Sequence, residues 1–196
     1  MATLSKFGVP GNNGERTGIL QPKLQYRFRV LTNNFGPTND QLDFTQQVIS
    51  LNKPQLTHDV VTLESYNSRA YVAGKHTWGQ ITLQMRDDIS NNISRLVGHQ
   101  LQKQVNHFEQ TASAAGINYK FDMFIQILDG GNTVVQEEWL CEGCFLEGVD
   151  YQALDYGASE QQMISLTVRP DNCTQSGGLM PDPATNFTFL GNDLSG

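Results

Sequence analysis

An antiparallel, mostly-β domain, a barrel or sandwich flanked by one α-helix and carrying extended arms at both ends, is the fold this sequence predicts. Three observations carry the prediction. Segment after segment alternates apolar and polar residues, the period of a half-buried strand. A single stretch repeats its apolar residues at steps of three and four. The two ends are rich in Gly, Asn and Pro, with scattered apolar anchors. The expected division is an N-terminal arm over residues 1–22, a β domain over 23–173 and a C-terminal arm over 174–196.

Taken in order, residues 24–30 read as a strand, with Leu24, Tyr26, Phe28 and Val30 on one face. A turn-rich loop with Gly36 and Pro37 follows. Residues 42–51 read as a strand whose alternation breaks at Gln46 and Gln47, the mark of a bulge or bend. Residues 56–63 and 69–73 are strand candidates joined through Tyr66, Asn67 and Ser68. Residues 80–85 alternate cleanly, Ile81, Leu83 and Met85 against Gln80, Thr82 and Gln84. The helix is expected over about residues 91–110, from the spacing of Ile93, Leu96, Val97, Leu101, Val105 and Phe108. Asp87, Asp88 and Ser90 offer capping oxygens at its start. Gln100 and Gln104 fall inside the apolar arc and require partners there. Strands are then expected over 119–128, 134–141, 143–151 and 162–168, the first two joined by a hairpin turn at Asp129, Gly130, Gly131 and Asn132.

Composition narrows the function. An apolar fraction of 38% is low for 196 residues, so either the domain is modest and the ends are arms, or part of the burial lies between subunits. The net charge of −7 argues against a protein that grips nucleic acid, which requires clustered Lys and Arg. The sequence has no run long and apolar enough for a membrane helix and no signal-like start, so no membrane binding is expected and synthesis is expected in a cytosol. The Cys141–Cys144 pair has CxxC spacing, but only Cys173 and isolated histidines are available to complete a zinc site. It lies between two strand-like runs, and its residues are expected to point to opposite sheet faces, unlike a redox CxxC that opens a helix. The sequence contains no phosphate loop, HExxH or GxSxG, and no nucleophile–base–orienter set. A non-enzyme without catalytic, metal or cofactor sites is therefore expected. Trp78 and Trp139 are assigned to packing.

Short motifs in order across residues 24–173 resemble the tail tube proteins of contractile-tailed bacteriophages. They include Tyr66 to Arg69, Gly74 to Trp78, ITLQMRDD over 81–88 and RLVGHQLQKQ over 95–104. Later come LDGGN over 128–132, Glu138 and Trp139, Gly143 to Leu146, Val149 to Tyr151, Leu154 to Tyr156 and ISLTVRPDN over 164–172. The resemblance implies six copies in a ring, rings stacked into a hollow tube, and sheets of neighbours joined around the lumen. It implies a tail sheath outside, a tape-measure protein inside during assembly, and baseplate and tail-terminator proteins at the ends. Double-stranded DNA is implied only as transient cargo, and the location is the virion tail, assembled in the bacterial host cytoplasm. A baseplate tube-initiator protein and a type VI secretion-like tube protein are the nearest alternatives, and a cysteine- or metal-dependent enzyme is a remote one.

On that reading the subunit-interface candidates are Phe44, Val48, Ile49, Leu51, Tyr66, Gln100 and Gln104. Residues 44–63 are expected to project as a hairpin or long loop onto a neighbour. Phe7 would anchor the first arm, and Phe187, Phe189 and Leu190 the last. Gln80, Thr82, Gln84, Ser165 and Thr167 are the lumen-facing candidates, on a wall expected to be neutral to negative and poor in aromatic rings.

Overall fold

The computed structural model describes residues 23–37, 40–128, 135–157 and 159–176. The expected turn at Asp129 to Asn132 and the arm anchors Phe7, Phe187, Phe189 and Leu190 lie outside those residues. The strands are β1 (Phe28–Asn33), β2 (Gln41–Asp43), β3 (Val48–Leu51), β4 (Leu56–Ser65), β5 (Ser68–Trp78) and β6 (Ile81–Arg86). After helix α1 (Asn92–Gln104) come the short β7 (Val105–Asn106) and β8 (Thr111–Ala112), then β9 (Phe121–Leu128), β10 (Val135–Asp150), β11 (Met163–Arg169) and β12 (Asn172–Gln175). Among the described residues, eight strands form a sheet in the order β2-β1-β9-β10-β11-β6-β3, with β12 also paired to β10. All its pairings are antiparallel. The arrangement is sandwich-like and mostly β with one helix, as the alternation predicts.

The core follows from the period-two pattern. Ile81, Leu83 and Met85 of β6 lie beside Val168, Leu166 and Ile164 of β11, and all six are buried. Val30 pairs with Ile125, and Thr32 with Met123, on the other leaf. Strand β10 serves both leaves. Its first part pairs with β9 and β12, and its last part with β11. The two strands expected over 134–141 and 143–151 are thus one strand of sixteen residues. The join is Gly143, whose φ of +63 is the left-handed conformation that side chains resist. A Cβ there would also lie 2.5 Å from Oδ2 of Asp171. The register shift at this point brings both Cys141 and Cys144 into the core, which corrects the expectation that they face opposite ways. Cys173 is the cross-strand neighbour of Cys141, so all three thiols are buried together and unbridged. Burial pushes the Cys144 thiol well above its ordinary pKa.

Two boundaries differ from expectation. Strand β1 begins at Phe28 instead of Leu24, because a turn closed by Arg27 N–H to the Leu24 carbonyl occupies the residues before it. The helix stops at Gln104, six residues early. Val105 is already extended, and residues after it pair β7 with β8. Phe108, assigned by spacing to the apolar arc, is consequently 93% exposed. The start is as expected: Asp88 Oδ1 accepts from Asn92 N–H at 2.9 Å and Asp87 Oδ1 from Ile93 N–H at 3.2 Å.

Both glutamines in the helix arc find partners within the chain. Gln100 accepts from Gly36 N–H at 3.0 Å and donates to the Tyr119 carbonyl at 2.5 Å. Gln104 accepts from Leu146 N–H at 3.1 Å and donates back to the Leu146 carbonyl at 3.0 Å. The helix is therefore tied to the sheet by amide groups as well as by Ile93 and Val97.

Gly143→Ala tests the crease in β10. Forcing a side chain into the left-handed conformation and against Asp171 should cost about 2–4 kcal/mol of stability. Urea unfolding of the variant, with Gly148→Ala as a neighbouring control, measures it.

Candidate functional site

The feature that needs explaining is a hairpin. Strands β4 and β5 pair only with each other among the described residues, joined at Tyr66 and Asn67. At ten residues, β4 is roughly 33 Å long. All of β4 and nearly all of β5 is exposed. Its apolar side chains lie on both faces. Val61 opposes Val72 and Leu63 opposes Ala70 on one, while Val60 opposes Ala73 on the other, with Tyr71 opposite Thr62. An isolated two-stranded ribbon is marginal in water, so its exposed apolar side chains are what a functional reading has to account for. Its root is fixed by buried Trp78, whose indole N–H donates to Asn172 Oδ1 at 3.3 Å. An exposed Glu64–Arg69 ion pair closes its tip.

The expected projection thus runs from Leu56, not from Phe44. Phe44 and Val48 belong to the core, Phe44 making an edge-to-face contact with Phe35 at 5.3 Å. Gln100 is fully buried within its own domain. These three have no surface to offer a neighbour, which corrects their assignment to a subunit interface; the apolar run that suggested it fills the protomer's interior. The Gln104 carboxamide is taken up by Leu146. Ile49 and Leu51 are half-buried, and Tyr66 is fully exposed at the hairpin turn. Phe108 is exposed although it continues the helical spacing, and sequence reasoning missed Leu154 and Tyr156, exposed residues on a loop that carries no periodicity.

The polar residues of β6 and β11 do come together. Thr82 lies beside Thr167 and Gln84 beside Ser165, and Ser50 of β3 donates to Gln84 Oε1 at 2.9 Å. Gln80 donates to Glu147 at 2.8 Å, and Arg169 is paired with the same carboxylate at 2.7 Å. This sheet face is largely polar, with Arg86 beside Met163 at one end, and its back is covered by the apolar core.

No family model matches the sequence, and no curated protein matches it. The structure is similar to solved ones. A chain of the six-fold symmetrised anti-feeding prophage baseplate has a TM-score of 0.63 at 14% identity, over 79% of this chain and 95% of that one. A chain of the PVC sheath–tube complex, an extracellular contractile injection system in the extended state, has a TM-score of 0.62 at 14% identity, over 84% and 98%. The fold is one used by contractile injection systems. The SPP1 tail tube is more distant, with a TM-score of 0.50 at 10% identity over 79% of this chain and 78% of that one.

One buried carboxylate fastens the ends of this domain. Glu137 accepts from Lys23 at 2.6 Å, Lys53 at 3.0 Å, the Trp139 indole at 2.7 Å and Gln175 at 3.0 Å. Burial pushes its pKa up, but the hydrogen bonds from Lys23, Trp139 and Lys53, with the charge of Lys53, outweigh that and hold it at about 2. A folded pKa below the ordinary 4.5 stabilises the fold above about pH 4.5, and that contribution is lost as pH falls toward 2. Glu137→Gln should therefore lower stability by about 1–3 kcal/mol at pH 7. Thermal unfolding across pH 2–7 should show the difference from the parent closing over that acid window.

Proposed function

We propose that this chain is a structural virion subunit that polymerises, six to a ring, into the stacked-ring inner tube of a contractile phage tail. The exposed hairpin with two apolar faces, on an injection-system fold, carries the reading, because such a ribbon is satisfied by burial against another copy. Ile49, Leu51 and Tyr66 are the interface candidates that retain surface. The terminal arms, 1–22 and 174–196, are proposed to reach neighbouring copies through Phe7, Phe187, Phe189 and Leu190. On this reading the sheath surrounds the tube, a tape-measure protein occupies it during assembly, and baseplate and terminator proteins lie at its ends.

The lumen wall on this reading is the face carrying Gln80, Thr82, Gln84, Ser165 and Thr167. Its supporting property is that these five side chains carry no charge and that the neighbouring Arg169 is paired with Glu147, leaving Arg86 at the end of β6 as the cation to be accommodated. A conduit for double-stranded DNA must let a polyanion slide, and each unpaired cation would add a phosphate contact repeated along the tube. No enzymatic role is proposed.

A second reading has a specific observation behind it. The injection-system chains are structurally nearer than the phage SPP1 tube. That favours an injection-system tube of the same build without DNA cargo. Nuclease-protected DNA in purified particles supports the phage reading; particles without it support the injection reading.

Replacing residues 57–77 by a short turn should leave a folded protomer that forms no tubes in negative-stain images. The paired change Val61→Asp with Val72→Asp should weaken polymerisation at least about 10-fold, read by sedimentation, with unfolding midpoint nearly unchanged. Normal tubes from either variant would remove the hairpin from the assembly.

A further inference from the structure

His58 and His76 are far apart in the sequence, yet the hairpin sets them directly opposite each other on β4 and β5. The phase of the ladder also brings them close. Gly79 N–H donates to the Gln55 carbonyl at 2.8 Å, so the rung beneath Leu56 and Trp78 is a bonded one. Bonded and open rungs alternate along an antiparallel pair. Leu56 with Trp78 is therefore open, Thr57 with Thr77 bonded, and His58 with His76 open. Side chains approach most closely at open rungs. Both histidines are exposed, and their ring centroids are 6.1 Å apart with the planes inclined at 57°.

The rung is also held in place. Trp78, two residues along β5 from His76, is buried and bonded to Asn172, so the pair stands where the ribbon leaves the domain. Just outward, the register shifts between His58 and Val60, and a Cβ at Gly74 would lie 3.0 Å from the Asp59 carbonyl oxygen. The regular ladder thus ends in a bulge directly beyond the histidines.

We propose that His58 and His76 form a two-imidazole site for a late first-row divalent cation: zinc, nickel or copper. A Zn–N bond is about 2.0–2.1 Å and the ring centre lies about 1.1 Å further on, so two imidazoles on one ion have centroids about 5.2 Å apart at the tetrahedral angle and about 6.4 Å apart when opposed. The observed 6.1 Å lies inside that interval. No third side chain is grouped with the pair among the described residues, which leaves the other positions of the ion to water. A bound ion would clip β4 to β5 at the root of a ribbon whose strands pair only with each other among the described residues. The site belongs to the protomer, whatever that protomer assembles into.

Calorimetric titration of the full chain with zinc chloride tests this, both in the parent and with Val61→Asp and Val72→Asp together. The expected result is one ion per chain, with affinity lowered at least about 10-fold by either His58→Asn or His76→Asn, because removing one ring ends chelation. His99→Asn with His107→Asn is the control, since the helix ends between those residues; affinity should stay within about 2-fold. Copper(II) on the parent should show electron spin-echo modulation from two imidazoles, and from one in either single variant. Zinc should slow hydrogen–deuterium exchange over residues 56–65 and 68–78 several-fold in the parent and not in His58→Asn. Absence of binding in both backgrounds, an affinity unmoved by either single variant, or its loss in the control would each refute the site.

Discussion

The shared strand β10 is the constraint on which the rest of this structure depends. Two leaves of a sandwich ordinarily need a connection that leaves one and enters the other. Here the backbone makes the passage inside a strand, by one left-handed residue, Gly143. The consequences spread outward from that crease. Asp171 occupies the space that a side chain at 143 would take and forms an ion pair with Lys120, just ahead of β9. Cys141 and Cys144 turn inward together, and Cys173 meets them from β12. Past the crease, Leu146 is placed where Gln104 of the helix can reach it.

The protomer combines a well-satisfied core with a poorly satisfied appendage. Its two helix glutamines are bonded at both ends, and its buried carboxylate has four donors. The β4–β5 ribbon, by contrast, holds Val60, Val61, Tyr71 and Val72 in water on two faces. Selection for monomer stability alone would not maintain that contrast, because exposed apolar pairs invite association. A subunit whose folding is complete before assembly, but whose ribbon is completed only by it, fits the contrast well.

Much of the sheet was legible because alternation is a local signal. Ile81, Leu83 and Met85, and Ile164, Leu166 and Val168, show which face is buried without knowledge of their partners. The helix start was legible from Asp87 and Asp88, whose carboxylates cap whatever begins after them. Its end was not, since Val105 and Phe108 continue the spacing while the chain leaves the axis. The misassigned interface has a similar cause. Phe44 and Val48 are apolar in a segment of broken alternation, and only tertiary pairing places them against Phe35 and Met85. Continuity of β10 was hidden because a Gly between cysteines reads locally as a break.

The bond between Gln104 and Leu146 has a topological meaning. A carboxamide side chain offers the same C=O and N–H pair as a peptide unit, and here it meets the two main-chain groups of one residue, as a neighbouring strand would. Strand β9 ends its ladder on β10 at Phe121 opposite Cys144, so Leu146 is the position where that side of β10 would otherwise lie bare. Gln104 therefore acts as a one-residue surrogate strand that terminates the sheet on that side. Growth by lateral pairing is barred at this margin, whereas among the described residues β2, β3 and β12 end their ladders without a further partner strand.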